Sequence, residues 1–246
     1  AASDVYKRQQ YGFSTNTDTH MIKNSEWGAV AYLSHSKYGT CTDGTCSEVS
    51  LNNSSKYTGI SAGSSSSSSV SYEYNEIRNS DGTIIGEGKD GPSASTTHNI
   101  YGVYDMSGGT YEYTMGNIVS NDGSIMLSGY SSSDNSGYTG KLYDSGKYTA
   151  YTGVDYPNNK YYDKYSFSRS NTSIIRSKLG DGLKEVYKTG AIGWYSDSTL
   201  LADYGTPWFG RGSAYYDDVY AGIFNSSIDS KGAADSYASS RLVITP

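Results

Sequence analysis

NIYGVYDMSGGTYEY, residues 99–113, is the most patterned stretch of a chain otherwise rich in Gly, Ser and Tyr. Gly102, Gly108 and Gly109 punctuate it, and Asp105 before Met106 marks a turn. Beyond the turn, Tyr111, Tyr113 and Met115 fall on one side of a period-two run, with Glu112 and Thr114 on the other. That alternation predicts a half-buried strand entered through a tight glycine turn. Glu112 is the odd member, because a carboxylate near a core is costly unless it is paired.

Around this stretch the composition sets limits. The chain has 246 residues, long enough for one large domain or two small ones. Tyrosine dominates the aromatics, with 27 Tyr against 4 Phe and 3 Trp. The core must therefore use tyrosine rings, whose hydroxyls need partners when buried. Abundant Gly, Ser and Asn predict much loop and turn. A net charge of -6 speaks against a nucleic-acid partner, which needs concentrated Lys and Arg. No run approaches the roughly 18 apolar residues of a membrane-crossing helix, and no secretory signal is visible.

Cys41 and Cys46 stand in CTDGTC. Two thiols at this spacing have poor zinc logic without further ligands, and His35 alone does not complete a site. They are either free or locally bridged in a turn, and a bridge over so short a loop contributes about 2 kcal/mol in the chain-entropy account. His20, His35 and His98 are scattered without metal-ligand spacing, so no metal and no cofactor is expected.

Along the chain, Asn24 is the expected N-cap of an amphipathic helix over Asn24–Lys37, with Glu26 in its first turn and Trp27, Val30, Ala31 and Ser34 at helical spacing. Trp27 is the expected core anchor. Ser61–Ser71 is low in complexity and predicts a loop inside the domain. Short strands are expected at Tyr72–Ile77 and Thr83–Gly86, joined through Asp81-Gly82, and a short buried segment within Asn121–Gly129. Tyr130–Ser173 reads as a long irregular region. Lys178–Lys188 predicts a short helix with Leu179, Leu183 and Val186 inward. Ala191–Tyr195, Trp208–Arg211, Ala221–Phe224 and Arg241–Thr245 predict short strands. No 20- to 50-residue repeat is present.

Three segments resemble one family. KNSEWGAVAYLS (Lys23–Ser34), the opening stretch, and WFGRGSAY (Trp208–Tyr215) with SRLVI (Ser240–Ile244) are similar, in that order, to motifs of the formylglycine-generating-enzyme-like, or sulfatase-modifying-factor, family. The resemblance implies an α+β, C-type-lectin-like fold: few helices around small twisted antiparallel sheets, rich in loop. The chain departs from the pattern where Gly109 replaces an Asn associated with calcium in some members. Tyr111 and Tyr113 replace the Trp residues flanking the Glu, Ser213 replaces a Gly, and Ser239-Ser240 replaces Gly-Phe. The family's strand ahead of the helix has no clear counterpart. AASDVYKRQQ, at residues 1–10, resembles the adapter read-through at the ends of metagenomic reading frames. It is therefore expected to be a non-native tail, with 11–246 a single domain truncated at its N-terminus.

The family's enzymes use paired cysteines after the Arg-Gly element, and Ser213–Ser240 contains neither Cys nor His. Asp217 and Asp218 are adjacent and point opposite ways in an extended segment. No Gly-x-Ser-x-Gly, Walker or EF-hand spacing is present. The expectation is a non-catalytic domain. Ala214–Ser240 is dominated by Tyr, Ser, Asp, Gly, Ala and Asn, the composition of a paratope. It also resembles the variable region of proteins diversified by retroelements, which are C-type-lectin-fold proteins of phage tails and bacterial surfaces. Their altered codons exclude Glu, Gln, Met, Trp and Lys, and Lys231 alone breaks that restriction here. The expected ligand contacts are Tyr215, Tyr216, Asp217, Asp218, Tyr220, Asn225, Asp229, Asp235 and Tyr237. The expected scaffold residues are Trp27, Glu112, Arg211 and Arg241, with Glu112 paired to one of the two arginines. The expected partner is a protein or glycan on a cell or phage surface, and the expected location is extracellular or on a cell or virion surface. An oxidoreductase-like family member with altered chemistry and a structural surface or pilus module are the alternatives.

Overall fold

The computed structural model describes residues 18–49, 95–99, 101–119, 161–166, 178–202, 206, 208–217, 220–229 and 236–245. The expected elements at 61–71, 72–77, 83–86 and 121–129 lie outside them, as do Asp218 and Asp235. The described residues form one α-helix, small antiparallel and mixed sheets, and much loop, a mixed α and β arrangement. None of their helices is long and apolar enough to cross a membrane.

The opening stretch folds as a turn and a strand. Asp105, Gly108 and Gly109 take left-handed backbone angles of 60°, 78° and 76°, and the chain then enters β4 (Tyr111–Tyr113). The alternation is real, but the buried side is the polar one. Glu112 is 6 % exposed and Thr114 is buried, while Tyr111 and Tyr113 are half-buried. β4 is an inner strand of a four-stranded sheet with β7 (Trp208–Arg211), β8 (Ser226–Asp229) and β9 (Ala238–Ser240), in the order β8-β7-β4-β9. The β4–β9 pair is parallel and the other two pairs are antiparallel.

Helix α1 runs over Asn24–Ser34 and buries Trp27, Ala31 and Ser34, as the spacing predicts. Its ends differ from expectation. Lys23, not Asn24, holds the N-cap position, and the Glu26 carboxylate accepts the Lys23 N–H at 2.9 Å. Asn24 is fully buried, and its Oδ1 accepts from Thr114 Oγ1 at 2.7 Å, which ties the helix to the residue after β4. Asp163 supplies a further acceptor to the free N–H of Ser25, at 2.8 Å, where the helix dipole favours an anion. The helix stops short of Lys37 because Ser34 and Ser36 hydroxyls donate to the Ala31 and Leu33 carbonyls, competing with further helical bonds. Gly28 faces backbone so closely that a Cβ would stand 2.1 Å from the Gly180 carbonyl oxygen.

A strand does precede the helix, contrary to the sequence reading. β1 (Asp18–Met21) pairs antiparallel with β10 (Leu242–Thr245), Asp18 opposite Thr245. DTHM has no strand signature of its own, and the ladder with β10 makes it one. A second unforeseen strand, β6 (Asp163–Ser166), lies inside the stretch read as irregular and pairs parallel with β5 (Gly116–Val119). Cys41–Thr42 (β2) and Thr45–Cys46 (β3) form a hairpin whose cysteines are bridged.

Three other elements are corrected. Lys178–Lys188 is a series of turns, not a helix: Leu183 and Val186 are buried but Leu179 is 98 % exposed. Gly180 and Gly182 adopt φ of 86° and 65°, and the Asp181 and Glu185 carboxylates collect the N–H groups of 178, 180, 182 and 183. Around Ala191–Tyr195 only isolated bridges form at Ile192, followed by a 3-10 turn at Trp194–Ser196. Ala221–Phe224 is a buried turn, and the strand begins at Ser226.

Two apolar clusters fill the interior. One gathers Ile22, Trp27, Ala31, Val49, Met106, Val186, Ile223 and Phe224, and the other Tyr165, Leu183, Ala202 and Phe209. Tyrosine does enter the core, as the composition requires. Tyr165 packs against Phe209 with ring centroids 4.8 Å apart and tilted at 46°, and its hydroxyl donates to Asp181 at 3.0 Å.

Candidate functional site

The scaffold residues meet the core from different sides. Trp27 is fully buried, and its indole N–H donates to the Ile223 carbonyl at 2.8 Å. Arg211 is 0 % exposed. Its guanidinium lies 5.8 Å from the Trp27 ring and donates to the Asp181 and Gly182 carbonyls at 3.2 and 3.3 Å. Burial lowers its pKa to about 10. Arg211 sits opposite Glu112 in the β4–β7 ladder, yet its side chain goes elsewhere. Glu112 pairs with Arg241 instead: Nε donates to Oε2 at 2.9 Å and Nη2 to Oε1 at 2.5 Å. Burial raises the Glu112 pKa and the arginine opposes that shift.

The turn after β7 is built onto the opening stretch. Gly108 N–H donates to the Gly212 carbonyl at 2.7 Å, and Tyr215 N–H to the Gly109 carbonyl at 2.8 Å. Asp217 closes the turn. Its Oδ2 accepts from the Ser213 hydroxyl, from Ala214 N–H at 3.0 Å and from the Tyr111 hydroxyl at 2.6 Å. Burial, then Asp217, raises the Tyr111 phenol pKa. On the other side, the Tyr111 N–H donates to the Tyr237 carbonyl at 2.9 Å, which brings the segment before β9 alongside β4.

These bonds assemble a tyrosine cluster from two segments of the C-terminal stretch. The Tyr215 and Tyr216 rings meet edge-on at 5.1 Å and 84°, and Tyr216 and Tyr237 at 5.8 Å and 83°. Tyr237 is 38 % exposed, and the other two are half-buried. Edge-to-face contacts of this kind help hold the rings in place.

The remaining expected contacts among the described residues do not join this cluster. Asp217 is a loop staple. Asn225 is 1 % exposed, and its amide donates to the Tyr220 carbonyl at 2.9 Å, so it faces the interior and not a ligand. Asp229 is on β8, the opposite edge of the sheet from β9. Tyr220 is exposed on the turn that follows Asp217.

No protein-family model matches the chain, and no curated protein matches it either.

One grouping that the sequence reading set aside, and one that it missed, come together in the fold. His35, Cys41 and Cys46 each place a metal-ligating atom within 4.8 Å of the others. The spacing of the two cysteines carries half of that signal, but His35 joins them only because the chain doubles back after α1. Glu48 and Asp197 converge on the buried turn before β8, where Asp197 accepts the Phe224 N–H at 2.9 Å and Glu48 the Ile223 N–H at 3.5 Å. Burial raises Glu48 to about 7 and Asp197 well above the ordinary carboxylate range, with Glu48 the next cause for Asp197.

Proposed function

We propose that this chain is a non-catalytic recognition domain of C-type-lectin-like fold, displayed on a bacterial or phage surface, with the Tyr215–Tyr216–Tyr237 cluster as the centre of its binding face. The fold reading rests on the motif order in the sequence. Among the described residues, one helix, small antiparallel and mixed sheets and much loop are compatible with its α+β class. One observation carries the function: three partly exposed tyrosines, from the turn after β7 and the turn before β9, interlock edge to face. Tyrosine supplies large contact area with few rotors to freeze, and its hydroxyl adapts to polar partners. Asp217, one of the adjacent carboxylates weighed for catalysis, is engaged in holding the turn. The ligand class is a surface protein or glycan, and no cofactor is called for.

The test is an array of glycans and bacterial and phage surface proteins, probed with the intact chain and with Tyr216→Ser and Tyr237→Ser. A ligand whose affinity falls roughly tenfold or more in both variants supports this face. A ligand bound equally by all three chains rejects it. Sequencing alleles from one population tests diversification: substitutions concentrated in 214–240 support it, and evenly spread ones reject it.

A further inference from the structure

The β2–β3 hairpin sets Cys41 directly opposite Cys46, and the intervening Asp43 and Gly44 turn with φ of 51° and 80°. Both sulfurs therefore leave the same face of the hairpin, whether or not they are bonded to each other. The hairpin is also held without them. Thr40 N–H donates to the Ser34 carbonyl at 2.6 Å, its hydroxyl to the Ser47 carbonyl at 2.6 Å, and Cys41 N–H to the Ser36 carbonyl at 3.2 Å.

His35 comes to this pair from the end of α1. Its ring is walled by Trp194 at 5.1 Å, Tyr195 at 5.5 Å and Phe224 at 6.1 Å. Nδ1 is hydrogen-bonded to the Tyr195 hydroxyl, which leaves Nε2 as the other ligating nitrogen. An imidazole oriented through its second nitrogen is the usual condition of a metal-binding histidine. In the tautomer whose Nδ1–H donates to the tyrosine oxygen, Nε2 presents its lone pair. All three side chains are half-buried, so an ion could reach them from solvent.

We propose that reduction of the Cys41–Cys46 bond converts this corner into a binding site for a thiophilic metal ion of the zinc class, ligated by both thiolates and by His35 Nε2. The oxidised corner has no thiolate to offer. A trialkylphosphine supplies the electrons: phosphorus takes oxygen from water, the S–S bond breaks, and the two water protons go to the sulfurs. Zn2+ then displaces both thiol protons to solvent as it forms two Zn–S bonds. At about 2.3 Å per Zn–S bond in a tetrahedral site, the sulfurs stand about 3.8 Å apart, a separation cross-strand neighbours can span. Three protein ligands leave the fourth position to water or to an incoming group. The site is separate in sequence from the tyrosine face and does not depend on that reading.

The experiment uses the full chain, reduced with a trialkylphosphine, desalted without oxygen and titrated with Co2+, then with Zn2+. The expected result is thiolate-to-cobalt charge-transfer absorption saturating at a single equivalent in the reduced chain, absent from the oxidised chain, and abolished by Zn2+. His35→Gln should weaken Zn2+ binding roughly tenfold or more, and Tyr195→Phe by a smaller factor through loss of the orienting bond. Cys41→Ser should abolish the charge-transfer band while circular dichroism stays native. The proposal is overturned by a reduced, folded chain that binds no Co2+, by equal affinity in His35→Gln, or by unfolding of the chain on reduction.

Discussion

Arg241 grips Glu112 through two nitrogens across 129 positions of sequence, and its Nη2 also donates to the Asp105 carbonyl at 3.0 Å. One guanidinium thus joins β4, the turn before it and the residue linking β9 to β10. A charge pair buried to this degree is costly to break from one side, because the survivor is left unpaired. Arg241→Met should cost about 3 kcal/mol in urea unfolding. Adding Glu112→Leu should recover part of that loss, and a double-mutant cycle reads the coupling directly. A loss under roughly 0.5 kcal/mol for Arg241→Met would show that the pair does not hold the sheet.

Arg211 is the deeper of the two arginines, and among the described residues no carboxylate forms a salt bridge with it. It serves the buried carbonyl dipoles of the 181–182 backbone and lies beside Trp27. Arg211→Met leaves two buried carbonyls unpaired, at about 1–3 kcal/mol each. Lysine cannot reproduce the planar fork. Arg211→Lys is therefore expected to recover less than half of the lost stability, measured by the same unfolding curves.

A tight backbone approach lies between α1 and the turn at 180–181. A methyl at position 28 would stand 2.1 Å from the Gly180 oxygen and 2.5 Å from the Asp181 Cα. Gly28→Ala improves helix propensity by about 1 kcal/mol, yet it should destabilise the chain by about 3 kcal/mol through overpacking. Calorimetry decides the sign: a rise in Tm would mean that the helix can move away from the turn.

The Glu48–Asp197 pair predicts a pH effect. Both folded-state pKa values are raised by burial. The Ile223 and Val49 N–H groups oppose the shift at Glu48, and Phe224 N–H and Arg211 oppose it at Asp197. The folded chain therefore keeps protons that the unfolded chain has already released above about pH 4. Their stabilising contribution is complete below that pH and is lost as pH rises through about 7. Tm should fall by several degrees, on the order of 5 °C, between about pH 5 and pH 8. Asp197→Asn should flatten that slope, and an unchanged slope in that variant would reject the assignment.

Which parts of the fold the sequence shows follows from where each signal resides. Trp208–Arg211 and Leu242–Thr245 are visible because each carries its own strand composition. The helix is visible from the spacing of Trp27 and Ala31, but its cap is not, since Glu26 and the distant Asp163 share that work. β1 is invisible because its identity comes from β10. Leu179, Leu183 and Val186 mimic a helical face, and two glycines with left-handed backbone undo it. At the candidate site, the tyrosines stand out by composition, whereas nothing local separates an aspartate that meets solvent from one that staples a turn. Asp217 and Asn225 differ from the rest only through partners that the fold supplies.

The β1–β10 ladder has a mechanical meaning. Asp18 faces Thr245 at the same end of an antiparallel pair, and Met21 faces Leu242 at the other. Force applied to those outer ends runs along the direction of the hydrogen bonds, perpendicular to both strands. The bonds then break one after another from Asp18 inward, as a zipper opens, and never all together as in shear. A tether pulling on both ends would peel this ladder at low force before any load reached Glu112, Arg241 or the tyrosine face.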